Sequence, residues 1–132
     1  MGATRQFELV RCKYCGQDQP PTAFDICCIV KGKVYRRLRC QRCKSARTKV
    51  RRRELRQWLV DYKKTLRCVR CGFSDYRALE FHHPGKEYKD ANVADMVRSV
   101  LSREMIMREI SKCIVLCANC HQIEHYEQRK SL

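Results

Sequence analysis

Residues 116–125 read Leu-Cys-Ala-Asn-Cys-His-Gln-Ile-Glu-His and combine two kinds of metal ligand. Cys117 and Cys120 form a C-x-x-C knuckle. His121 and His125 follow four residues apart, a spacing that points both imidazoles from one face of a helix. Two earlier pieces answer this stretch. Cys68 and Cys71 supply a second thiol pair, and His82 and His83 two more imidazoles. All 4 histidines of the chain sit in these two places. Scatter over surface and core would not produce that pattern. Cys68, Cys71, Cys117 and Cys120 together would make a four-thiolate zinc site with no open position, which is a structural site. A zinc there would pin the start of the last helix against the earlier knuckle and set His121 opposite His82.

The composition supports a reduced, metal-stabilised, polyanion-binding protein. Of 11 cysteines, eight form four C-x-x-C pairs, with Cys12/Cys15 and Cys40/Cys43 as the other two, so two structural Zn2+ ions are expected. A disulfide framework is the rival reading, and it needs an oxidising compartment. Residues 1–13 hold no apolar run of signal-peptide length, and Gln6 stands where a myristoylation signal has Ser or Thr. The expectation is an intracellular, cytoplasmic protein. The length of 132 residues allows one domain or two very small ones, with a limited core. Lys and Arg total 29 against 14 acids, a formal charge of +15. That excess favours a polyanion. Nucleic acid, duplex DNA first, fits better than anionic membrane, and no small-molecule cofactor is indicated.

The elements that must position these residues follow from local pattern. A strand over 7–10 leads into the Cys12–Cys15 knuckle, whose Gly16 suits a left-handed turn. Residues 17–21 read as a loop and Lys31-Gly32-Lys33 as a hairpin turn between strands over 26–30 and 34–38. Residues 44–66 lack proline and glycine, and Leu55, Trp58, Leu59, Tyr62 and Leu66 recur at helical spacing, a stripe expected to pack on the zinc modules. Lys44, Arg47, Lys49, Arg51, Arg52, Arg53 and Arg56 load that helix with charge, interrupted only by Glu54 and Asp61. A solvated face usually mixes signs, so these seven are candidate phosphate contacts. Cys68-Val-Arg-Cys71-Gly72 repeats the logic of Cys12-Lys-Tyr-Cys15-Gly16, as a weak internal repeat or as shared zinc-fold grammar. A strand over 78–83 ends in the His pair, and Pro84-Gly85 turns the chain. Asn92 and Ser102 are N-caps of two amphipathic helices, a return strand covers 113–116, and the last helix runs from 118 to about 129.

The order C-x-x-C-G, Leu79-Glu-Phe-His-His83, then Val115-Leu-Cys-Ala-Asn-Cys-His121 resembles the zinc-containing branch of the HNH endonucleases, small phage and bacterial ββα-metal enzymes. The resemblance covers residues 68–126. It implies a small α+β, zinc-stabilised, treble-clef-like nuclease domain at 67–132. Ahead of it lie a second zinc module at 1–43 and a basic linking helix at 44–66. It also implies that His82 and His121 bind one catalytic divalent ion, Mg2+ or Mn2+, with Zn2+ or Ni2+ as further candidates. His83 is then the general base. His125 matches an additional ligand of the colicin-type members, though at a helix surface it could equally face solvent. Products would carry 5′-phosphate and 3′-hydroxyl ends, in the cytoplasm of a bacterium or infected host. One departure stands out. Lys112 lies about where the family has its middle Asn, and Asn119, inside the knuckle, is the first substitute.

The leading expectation is therefore a metal-dependent DNA endonuclease. The rival is a non-catalytic, zinc-dependent nucleic-acid-binding regulator on the same scaffold. Monomer and homodimer both remain open, and Cys27, Cys28 and Cys113 carry no assignment.

Overall fold

The computed structural model describes residues 8–85 and 89–131. The strand expected over 7–10 begins outside them. The chain divides after residue 50 into two compact units.

In the first unit, β1 (Val10–Arg11) and β2 (Asp18–Gln19) pair antiparallel around the first knuckle. The loop expected over 17–21 thus contains a short strand. Its cause is local: the Cys12 N–H donates to the Gln17 carbonyl at 3.0 Å, which brings Asp18 beside Arg11. A 3-10 turn (Pro21–Ala23) leads to β3 (Phe24–Val30) and β4 (Lys33–Cys40), an antiparallel hairpin with irregular register near Ile26. Lys31 and Gly32 both take positive φ, 48° and 77°, the primed turn whose twist suits a two-residue hairpin loop. β4 runs without a break into α1 (Gln41–Lys63). The helix starts three residues before the expected 44, because the second cysteine pair forms its first turn. Cys12, Phe24 and Cys40 are fully buried, with Ala23 and Cys43 beside them. So small a hydrocarbon core cannot hold a unit of this size together without a further tie.

The second unit contains residues 51–63 of α1 and then β5 (Leu79–His82), α2 (Val93–Arg98), α3 (Arg103–Ile110), β6 (Ile114–Cys117) and α4 (Ala118–Lys130). β5 and β6 are antiparallel, with Leu79 opposite Cys117 and His82 opposite Ile114. Leu55, Val93, Met96, Val97, Ile106 and Ile110 form the main core, flanked by Trp58, Leu59, Tyr62 and Phe81. Leu55, Trp58, Leu59 and Tyr62 of the apolar stripe therefore pack with α2 and α3, and Leu66, just past the helix, packs on the second cysteine tetrad as the sequence suggested. Two helices of 6 and 8 residues cannot enclose their own apolar faces, and α1 supplies the third wall.

The helix ends are tied locally. Ser102 caps α3, its hydroxyl accepting from the Met105 N–H at 3.3 Å. Asn92 occupies the N-cap of α2, but its side-chain amide donates to Asp95 at 3.1 Å. α2 closes in a Schellman turn, Leu101 N–H to Met96 carbonyl and Val100 N–H to Val97 carbonyl, both 3.1 Å. Val100 takes the left-handed position, φ 57°, that glycine usually fills. Among the described residues, no helix is long and apolar enough to cross a membrane.

Candidate metal centres

Each unit brings four cysteines together, Cys12, Cys15, Cys40 and Cys43 in the first and Cys68, Cys71, Cys117 and Cys120 in the second, with all sulfurs of a set within 4.8 Å of one another. Four sulfurs bound at ~2.3 Å around a tetrahedral ion stand about 3.8 Å apart. Cys12 and Cys43 are 4.0 Å apart, as are Cys15 and Cys40, and Cys71 and Cys117 are 3.6 Å apart. Both tetrads have the dimensions of a structural zinc site.

The two centres are built the same way bond for bond. The Gly16 N–H closes on the Cys12 carbonyl and the Gly72 N–H on the Cys68 carbonyl, both at 2.9 Å. Both glycines have positive φ, 69° and 77°. The N–H after the first cysteine reaches the strand two residues before the second pair: Lys13 to Leu38 at 3.1 Å, Val69 to Val115 at 3.0 Å. Burial disfavours a thiolate at Cys12 and Cys68, but backbone N–H groups outweigh it and draw both down to about 6. Those donors occupy matching positions, Cys40, Cys15 and Tyr14 for one sulfur and Cys117, Cys71 and Arg70 for the other. The last cysteine of each set is pushed the opposite way, to about 12, first by the neighbouring sulfur of Cys40 or Cys117 and then by burial. A cation at the centre is what lets all four sulfurs ionise together. The weak repeat in the sequence is thus a repeat of backbone geometry.

The second tetrad sits at the start of α4. Cys117 ends β6 and caps the helix, its sulfur accepting from the Cys120 N–H at 3.5 Å. Arg70 of the knuckle pairs with Glu124 and, at 3.6 Å, with Glu127 on α4. This fixes the helix phase, and with it His121 and His125. His82, buried at the end of β5, meets them: the ring centroids lie 5.0 and 5.1 Å away, and the ligand nitrogens of the three fall within 4.8 Å. The Nε2 atoms of His121 and His125 are 2.9 Å apart. At that distance the two imidazoles are in hydrogen-bond contact, and both nitrogens belong to the set of three that could hold an ion. Desolvation first, then the nearby His121 and His125, lower the pKa of His82, which favours the neutral, ligating imidazole.

Glu80, two residues before His82, contacts His121 Nδ1 with its Oε2. A carboxylate on the far nitrogen fixes the ring and turns Nε2 inward. Nothing in the local sequence signals this role, since an exposed strand Glu is ordinary. His83 leaves the cluster entirely. Its Nε2 lies 2.6 Å from Oε1 of Glu109, a carboxylate only 2% exposed, and 3.4 Å from the Cys113 sulfur. Asn119 is exposed in the first turn of α4; the group on His83 is Glu109. His83 and His121 line one cleft of about 340 Å³ together with Glu80, Phe81, Lys63 and Asn92.

The basic residues of α1 divide. Arg47, Lys49, Arg51, Arg53 and Arg56 are exposed. Lys44 pairs with Asp25 at 2.5 Å. Half-buried Arg52 donates from Nε to the Arg98 carbonyl at 2.9 Å, satisfying an open end of α2. Arg52 is therefore committed to the fold, and Lys44, its side chain 63% exposed, sits in a surface ion pair.

No protein-family model, curated protein or solved structure matches the chain.

Folded protein is expected to carry two tightly held zinc ions, and Cys43→Ser and Cys120→Ser should each lower the content to about one. Only Cys120→Ser should disturb the histidine resonances, because its tetrad holds α4. Elemental analysis with histidine NMR checks this, and a wild-type content below two would contradict it.

Proposed function

We propose that this chain is a metal-dependent endonuclease of the ββα-metal (HNH) type, acting on DNA. The observation that carries the reading is the junction of β5 and α4. The ligand nitrogens of His82, His121 and His125 lie there within 4.8 Å of one another, while the adjacent His83 turns away to a buried carboxylate. Pure binding needs no such division. A divalent ion held by the three imidazoles would supply Lewis-acid stabilisation of a phosphate oxygen and of the leaving 3′-oxygen. The residues do the rest. Glu80 holds the His121 ring. His83 takes a proton from water. The hydroxide so formed attacks phosphorus. The exposed arginines of α1 hold the duplex backbone. That helix has 23 residues, a length of about 35 Å at ~1.5 Å each, close to one turn of B-DNA.

Zinc-loaded protein incubated with supercoiled plasmid should nick it in Mg2+ or Mn2+ and not in chelator. His83→Ala should keep fold, zinc and DNA affinity yet cut roughly 10²–10⁴-fold more slowly. Excess metal should partly restore His82→Ala and leave His83→Ala unchanged. Wild-type protein that binds DNA and cuts with no divalent ion would replace this reading with that of a nucleic-acid-binding regulator.

Replacing Arg47, Arg51, Arg53 and Arg56 with Ala, and sparing Arg52, should weaken binding to all sequences alike. The log–log salt slope should flatten by about 0.9 for each phosphate that the variant no longer neutralises. A variant with the parental slope would show that these arginines are merely solvated.

A further inference from the structure

The family pattern leaves a gap at Lys112, and the buried carboxylate three residues earlier fills it. Glu109 lies in the last turn of α3, 2% exposed, and both its oxygens are occupied. Oε1 faces His83 Nε2 at 2.6 Å and accepts from the backbone N–H groups of Asp90 at 3.1 Å and Ala91 at 3.4 Å. Oε2 accepts from Lys112 Nζ at 2.9 Å, and that ammonium also meets Asp90 at 2.5 Å. Burial alone would raise the Glu109 pKa, but Lys112, His83 and the two backbone donors bring it down to about 2. An ionised carboxylate can only accept, so the proton of this short hydrogen bond belongs to the imidazole.

We propose that Glu109 is the positioning residue of His83: it holds the imidazole as the Nε2–H tautomer, so that Nδ1 carries the lone pair that takes the proton from water. Lys112 is the counter-ion that keeps Glu109 charged in a buried place. The pair does by charge what a neutral amide does by hydrogen bonding. A carboxylate behind the base also stabilises the imidazolium that forms when the proton arrives. Asp90 and Ala91 precede α2, so the same carboxylate ties the segment leading into α2 to α3 and steadies the wall of the cleft. A purely structural Glu109 would need only this last role, and the two can be separated.

The catalytic part rests on the nuclease reading, and the tautomer does not. Long-range 1H–15N correlation on zinc-loaded wild-type protein, below the metal concentration needed for cutting, should show His83 protonated at Nε2 alone. Glu109→Gln keeps an acceptor and the side-chain volume, and Glu109→Ala removes both. In Glu109→Ala the His83 signal should become a tautomer mixture, and kcat for nicking should fall roughly 10–10²-fold at unchanged KM. Glu109→Gln should lie between the two. If Glu109→Ala does not fold, the Gln variant alone decides. A wild-type His83 protonated at Nδ1, or variants with normal kcat, would overturn the proposal. A wild type with the expected tautomer that never nicks would overturn the nuclease reading and leave the positioning by Glu109 standing.

Discussion

Four thiols converging where β6 becomes α4 are the constraint on which the second unit depends. β5 and β6 pair over only four residues each, and the nearby core offers little beyond Leu79 and Leu116. Such a sheet has no independent stability. The tetrad joins the knuckle at Cys68 and Cys71 to the strand end at Cys117 and to the helix at Cys120, so three pieces of chain are fixed by one centre. The three clustered histidines lie within reach of it. His121 follows Cys120 directly, and His125 is one turn further along the same face. His82 ends the strand that Cys117 terminates from the other side, through the register of Leu79 with Cys117.

The centre of the first unit is assembled by the same backbone bonds but without histidines. Its knuckle is braced by Arg39, whose guanidinium stacks 3.7 Å from the Tyr14 ring centroid. One geometry thus serves two ends: in one unit it only holds a hairpin to a helix, and in the other it also aims imidazoles. The difference between the units lies in what is appended at the start of the helix, not in the knuckle itself.

Much of this was readable in the sequence because it is written in short spacings. C-x-x-C pairs, the i to i+4 histidines, the Lys31-Gly32 turn and the Ser102 cap each need only a few neighbouring residues to be recognised. What stayed hidden depends on distant packing. Glu80 and Glu109 look like any acids on a strand and a helix, and only the approach of His121 and His83 gives them work. Arg52 is indistinguishable in a run of three arginines until the end of α2 is placed beside it. The stripe of α1 was legible as a buried face, but not what it meets. Its partners lie well along the chain, from Phe81 stacked on Tyr62 to Val93 and beyond.

A titration of zinc-loaded protein with Co2+, followed by absorption and by plasmid nicking in one sample, tests the central claim most directly. One equivalent should bind with the weak ligand-field bands of an imidazole and oxygen site, without the intense thiolate charge-transfer bands. Nicking should rise in proportion to that equivalent. Uptake of that cobalt with no cleavage, or cleavage that is complete before any cobalt reaches the histidines, would contradict it.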